Sequence, residues 1–277
     1  MPYTPYSTIF KDPNPKSSVI SPVSIYPLTL AESSLPPVQQ SISFFHTADV
    51  SYEWEIPIKL YGTNVSVVVI GAGGHPHSAT GGKAGRVTGT INVSTMGTAL
   101  GYYVATTGTS AGDGGGMSAV WSPSLSTYLV IAGGGGGGGA FVDQNGGDGG
   151  SILPSGSANS GLPLGLGGGG ASNGTPGSGG TGITANGFSG SVSSLPAIPS
   201  PPSKTGGAGA EFMSSIYGGD GGDGYAGGGG GGYTSLADAG GGGGGSNYAN
   251  TTYVSSAVGT KGVAPEASVT FTWLEYP

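Results

Sequence analysis

Several groups of residues have the types and spacing that chemistry requires. Val67-Val-Val-Ile-Gly-Ala-Gly-Gly-His-Pro76 has the outline of a dinucleotide-binding strand and turn. That chemistry needs G-x-G-x-x-G opening a helix whose N-terminus holds the pyrophosphate, and an acidic residue about 20 positions on. Here Pro76 takes the third glycine's place, Thr80-Gly-Gly82 is no helix start, and no acidic residue lies between Glu55 and Asp113. His75 and His77 form an H-x-H pair that suits a metal, but around Pro76 they read as turn residues. Asn145-Gly-Gly-Asp148 and Asp220-Gly-Gly-Asp223 resemble calcium-binding glycine repeats without the regular nonapeptide array, and read as solvated turn residues. Glu53 and Glu55 alternate with Tyr52, Trp54 and Ile56, which reads as the polar outer face of a strand. No Ser/His/Asp grouping has supporting context. The chain reads as a non-enzyme with no cofactor and no metal.

The elements around these residues are unusual. Charged residues make up 8% of the 277, against roughly 25% in ordinary domains. The net charge of -7 is thinly spread, Arg86 is the single arginine, and no basic patch marks a nucleic-acid partner. There is no cysteine. No apolar run approaches the ~20 residues of a membrane span, and the first ten residues lack the charged start and apolar stretch of a secretory signal.

All 62 glycines fall between Gly62 and Gly262. They concentrate in runs at 133–139, 167–170, 227–232 and 240–245, bounded by Gly133, Gly139, Gly167, Gly170, Gly227, Gly232, Gly240 and Gly245. Ordering each glycine costs ~0.5–1 kcal/mol more than ordering alanine. A flexible linker would avoid that cost, but the region holds too many aromatics for one. Collagen needs glycine at every third position, and these glycines are contiguous. What remains is the extended left-handed helix of three residues per turn, rising ~3.1 Å per residue. Without side chains, such helices approach until N–H and C=O groups bond laterally. Gly136, mid-run, has no room for a Cβ in this arrangement.

Strands are expected at 51–56, 64–70, 86–93, 98–105, 128–132, 251–256 and 268–273, where Val, Thr, Ile, Tyr and Phe dominate. Almost no helix is expected. The fold expected is all-β: a sandwich-like framework with packed polyglycine helices over 42–277, and an extended, proline-rich docking arm over 1–41. Tyr3, Tyr6, Phe10 and Tyr26 are the arm's candidate contacts.

Three stretches carry a family resemblance: Val67-Val-Val-Ile-Gly-Ala-Gly-Gly74, Tyr128-Leu-Val-Ile-Ala-Gly-Gly-Gly135, and Gly222-Asp-Gly-Tyr-Ala-Gly-Gly228 continuing through the last run to Ser246-Asn-Tyr248. Over roughly 60–273 the chain resembles the glycine-rich domains of the anaplastic lymphoma kinase and leukocyte tyrosine kinase receptors. It is also similar to the glycine sandwiches of phage tail-tip adhesins. The resemblance implies polyglycine helices in a hexagonal array beside β-strands. Lacking cysteines and a signal, the chain departs from the receptors, which favours a virion. The expected function is a virion structural protein, a minor capsid or vertex component, whose arm docks on other virion proteins in a multimeric assembly. The alternative is an adhesin that binds a host surface receptor through the segments between runs, with Phe188, Leu195, Phe212, Tyr217 and Tyr233 as candidate contacts. A cell-surface ligand-binder is a third class. No nucleic-acid partner and no membrane insertion are expected.

Overall fold

Asn64-Val-Ser-Val-Val-Val-Ile70 alternates, and its valines at 65, 67 and 69 are fully buried. That period of two makes it a strand with one face on a core. The structure, a computed structural model, describes residues 36–140, 144–150, 175–179, 185–194, 202–212, 216–235, 238–263 and 266–277. The candidate contacts Tyr3, Tyr6, Phe10, Tyr26 and Leu195, and the run bounded by Gly167 and Gly170, lie outside these residues.

The described chain is all-β. Its strands are β1 (Val38–Phe45), β2 (Tyr52–Glu55), β3 (Asn64–Ile70), β4 (Ala84–Asn92), β5 (Ala99–Tyr103), β6 (Ser118–Ser122) and β7 (Thr127–Ala132). Then come the short β8 (Glu211–Phe212), β9 (Ile216–Tyr217), β10 (Tyr233–Ser235), β11 (Asp238–Ala239) and β12 (Tyr248–Ala249). Two long strands close the chain, β13 (Val254–Val263) and β14 (Ser268–Glu275). One 3-10 turn at Val93–Thr95, capped by the Asn92 side chain, is the only helical piece among the described residues.

Two antiparallel five-stranded sheets form the framework, in the orders β1-β14-β3-β4-β13 and β12-β7-β6-β5-β2. They face each other across one core. Trp54 of β2 stacks on Phe271 of β14 with ring centres 4.3 Å apart, and Phe44 of β1 stacks on Tyr102 of β5 at 4.2 Å. Val65, Val67, Val69, Val87 and Ile91 of the first sheet meet Leu100, Val120, Leu129 and Ile131 of the second. Each such side chain contributes ~1.5–3 kcal/mol by leaving water.

The boundary expected after residue 41 falls inside β1, which pairs with β14 without interruption from Val38↔Glu275 to Phe45↔Ser268. Val38 to Ser41 therefore belong to the framework. The last strand but one also lies later than expected. Residues 251–253 form a turn, and β13 begins at Val254.

Candidate functional site: a glycine lattice and its two ends

The strands run on into glycine. β3 leads to Gly71, β7 leads to Gly133, and run 240–245 returns through Ser246 and Asn247 to β12. Beyond the sheets these segments become helices that bond sideways on all sides. Run 133–139 is the centre. Gly134 and Gly137 donate to the carbonyls of Asp223 and Asp220. Gly135 and Gly138 donate to Ala72 and His75, while Gly136 and Gly139 donate to Gly147 and Gln144. In return Gly85, Gly82 and Ala79 donate to the carbonyls of Gly133, Gly136 and Gly139. Gly245 and Gly242 donate to Gly134 and Gly137, and Gly115 donates to Gly135.

Each neighbour recurs at every third residue, so the helix has three residues per turn. No glycine of runs 133–139, 227–232 or 240–245 has positive φ, which makes this the left-handed extended helix. Six segments surround the run: 71–77, 78–85, 112–116, 144–150, 218–224 and 240–246. That is hexagonal packing, and its interior is peptide. Run 227–232 is embedded in the same way. Gly227 and Gly230 donate to Ser191 and Phe188, Gly228 and Gly231 donate to Gly222 and Gly219, and Gly207 and Ala210 donate back to Gly228 and Gly231. A strand ladder uses two sides of a chain, whereas a threefold helix uses all of its sides.

The period also explains the two acidic motifs. Residues three apart on such a helix point at the same neighbour. Asn145 Oδ1 accepts from the Thr80 N–H at 3.1 Å, and Asp148 Oδ1 accepts from the Lys83 N–H at 2.9 Å. Asp220 Oδ1 accepts from the Gly209 N–H at 2.7 Å. Asp223 Oδ1 accepts from Thr205 and Gly206 at 2.6 and 2.8 Å. These side chains are lateral clamps between helices rather than turn residues; Asp220 and Asp223 are also withdrawn from solvent, which corrects the reading of solvated residues there, while Asn145 stays exposed. Their x-G-G-x spacing was the available signal: it is one helical turn. Burial pushes the carboxyls of Asp220 and Asp223 above the usual carboxylate range, while the backbone N–H donors pull the other way. With Asp49, Asp113, Tyr103 and Lys204 they line a cleft of about 460 Å³.

Where the lattice meets the sheets sits Asn247, fully buried. Its Oδ1 accepts from the Gly133 N–H at 2.8 Å, and its Nδ2 donates to Arg86 O at 3.2 Å and Thr260 O at 3.4 Å. One side chain thereby ties the central helix to β4 and β13.

The lattice has a far end, away from the sheets. There run 133–139 meets the His75–Ser78 turn, and run 227–232 turns into the β10–β11 hairpin. The β8–β9 hairpin follows Ala210 at the same end. A small cluster of Ala140, Ala210, Tyr233 and Ala239 closes this end. Tyr233, expected as a receptor contact, is 1% exposed. It plugs the ends of the helices instead, because the first side chain after a glycine run meets the space the glycines leave. Phe188 is 67% exposed, on an outer helix whose inward positions are Gly187 and Gly190. Phe212 and Tyr217 lie in the β8–β9 hairpin, where Phe212 pairs with Ile216 and Tyr217 with Glu211.

The remaining candidates separate cleanly. Val67 to Pro76 is strand followed by a lattice helix, with no α-helix after Gly74. His75 Nδ1 lies 2.7 Å from Pro76 O, and His77 Nδ1 lies 3.4 Å from Ser78 Oγ. Among the described residues no group of three His, Cys, Asp or Glu is placed to hold a metal. Glu53 and Glu55 face outward on β2 around buried Trp54, as their alternation predicts. No helix among the described residues is long and apolar enough to cross a membrane.

No protein-family model matches this sequence, and a search of curated proteins finds no similar one. The class is therefore defined by the fold alone: an all-β sandwich extended by a lattice of polyglycine helices.

Proposed function

We propose that this chain is a non-enzymatic structural protein of a virion, a minor capsid or vertex component anchored through its N-terminal segment. The supporting observation is the contrast between its two ends. The end of the sandwich remote from the glycine lattice carries exposed apolar side chains. Ile58 is fully exposed, and Val38, Tyr61, Leu274 and Tyr276 are each at least 40% exposed. Tyr61 and Tyr276 pack edge to face at 5.0 Å, and Tyr61 N–H donates to Leu274 O, so the patch is one surface. The chain enters the described structure at Pro36, at this same end. An exposed apolar patch beside the entry point of a proline-rich segment suits attachment to a neighbour. The lattice, bonded through its backbone, suits a stiff element that resists proteolysis.

One observation favours a second reading, an adhesin that binds a host surface receptor. The β8–β9 and β10–β11 hairpins gather at the opposite end, where a receptor would be met.

Cross-linking mass spectrometry on the particle that carries this chain separates the two. Links from Lys11 and Lys16 to another capsid protein are expected for the anchored structural component. Links confined to a fibre or tail protein would overturn that reading and support the adhesin. Links to neither would overturn both.

A further inference from the structure

Asp220 and Asp223 stand one helical turn apart on the lattice helix 218–224, and both reach toward segment 204–209. Asp220 accepts from the Gly209 N–H, and Asp223 from the Thr205 and Gly206 N–H groups. The β8–β9 hairpin follows this segment after Ala210. Two further carboxylates line the same cleft. Asp113, from segment 112–116, accepts from the Thr109 and Ser110 N–H groups at 3.0 and 2.7 Å. Asp49, from the turn before β2, accepts from the Tyr103 hydroxyl at 3.3 Å and lies 4.0 Å from His46 Nε2. Lys204 is the one lysine or arginine among the described lining residues, and it is exposed. Among the described residues no cationic group lies within 4.0 Å of Asp113, Asp220 or Asp223.

Four carboxylates facing one ammonium form an unbalanced set. Burial disfavours each charge, and like charges around one cleft oppose each other's ionisation. At Asp220 burial acts first, and the Asp113 and Asp223 carboxylates add to it against Lys204. At Asp223 burial again outweighs the two backbone donors and Lys204. The clamp itself does not need the charge. A protonated carboxyl still has acceptor capacity for an N–H donor. A proton therefore removes the repulsion and leaves the hydrogen bonds to segment 204–209 in place.

We propose that this joint is a pH-sensitive latch, which holds segment 204–209 on the lattice most firmly in mild acid and loosens it as the solution becomes neutral. Burial, with the neighbouring carboxylates, raises the folded-state values of Asp220 and Asp223. A carboxyl raised in this way binds its proton more tightly in the folded chain than in the unfolded one. The stability it adds is fully present below the unfolded value of about 3.9, and is lost as pH rises through the folded value. Acid denaturation of most proteins runs the other way, because paired carboxylates lose their partners. The groups facing the pair are Asp113 from segment 112–116, Lys204 from the latched segment, Tyr103 from β5, and Asp49 with His46 from the turn before β2. Burial pushes the Tyr103 hydroxyl up, so it stays neutral over this range. The sequence Leu195-Pro-Ala-Ile-Pro-Ser-Pro201, which leads into the segment, contains no titratable side chain. The latch sets how firmly the base of the β8–β9 hairpin is held.

The melting temperature of the full-length protein, followed from about pH 4 to about pH 8, tests the latch. The native chain is expected to melt highest at the acid end and to lose several degrees toward the other. Asp220→Asn combined with Asp223→Asn keeps an acceptor oxygen at both positions and removes both charges. That chain is expected to lose most of the slope and to melt above the native chain at the alkaline end. Lys204→Gln removes the counter-charge, and is expected to match the native chain in acid and fall more steeply. Asp148→Asn, at a lateral clamp outside the cleft, is the control and is expected to keep the native slope. Hydrogen exchange locates the change. Protection factors of the Gly206 and Gly209 amides are expected to drop as pH rises, while those of Gly134 to Gly139 hold. A native melting temperature that is flat or climbs toward neutral pH, a double variant or a Lys204→Gln chain with the native slope, or constant protection at Gly206 and Gly209 would overturn the proposal.

Discussion

Gly136→Ala is expected to destabilise the protein by about 3 kcal/mol or more, while Gly73→Ala leaves it unchanged or slightly more stable. Both residues lie in the same lattice and receive the same methyl group. They differ in what the methyl meets. At Gly136 a Cβ would sit on the carbonyl of Gly242, with the Gly243 carbonyl close behind. Those atoms are backbone, held by hydrogen bonds from Gly147 and Gly222, and they cannot rotate away. Opening the lattice to admit the methyl would lengthen bonds along a whole helix, each worth about 1 kcal/mol. At Gly73 the nearest atom is Gly82 O at 3.4 Å, an ordinary contact, and φ is not positive. There alanine chiefly reduces the freedom of the unfolded chain, which stabilises by about 0.4–1 kcal/mol. For a chain of this size the Gly136 change corresponds to a fall of roughly 6–12 °C in melting temperature. Equal melting temperatures for the two variants would mean that the runs are not laterally packed.

Asn247→Ala is expected to cost about 2–4 kcal/mol, a large effect for a polar side chain. The substitution leaves the Gly133 N–H without its acceptor at a buried position, and an orphaned buried donor costs about 1–3 kcal/mol. The carbonyls of Arg86 and Thr260 lose a donor as well. Gly85 reflects the same junction, since a Cβ there would strike the Asn247 amide. Urea unfolding measures the loss. A change below about 0.5 kcal/mol, the scale of a surface substitution, would show that Asn247 does not join the lattice to the sheets.

Much of the framework was legible because period two is a strong signal. β3 runs from Asn64 to Ile70, as its valines indicate. β6 gave no such signal. Ser118-Ala-Val-Trp-Ser122 is buried on both faces and does not alternate, so only its neighbours β5 and β7 identify it. β1 was hidden by its composition. Its large residues are sparse until Phe44 and Phe45, and it follows directly on a proline-rich stretch. β13 was misplaced because its alternation breaks at both register shifts, at Ser256–Ala257 and at Lys261–Gly262.

The contiguous glycine runs announced the lattice, but its outer helices did not announce themselves. An inner helix needs glycine on every side. An outer helix needs it only where it faces inward, once per turn. Gly187 and Gly190 are such a pair, facing Gly230 and Gly227, with Phe188 free between them. Asp220 and Asp223 keep the same spacing for the opposite purpose, reaching sideways to clamp residues 205–209. A search for period three, beside periods of 2 and 3.6, would have found both. Tyr233 was misjudged for a related reason. A tyrosine after six glycines looks like a loop anchor, yet at the end of a packed array it becomes the plug.

The glycine runs are ordered by their own backbone bonds. Hydrogen exchange on protein labelled at glycine nitrogen tests this most directly. The amides of Gly134 to Gly139, and of Gly228, Gly230 and Gly231, each have a carbonyl partner in the lattice. They are expected to exchange as slowly as the core amides of β3 and β7, and to lose protection together on global unfolding. Exchange at the rate of a free glycine linker, with the sheet amides still protected, would contradict the account.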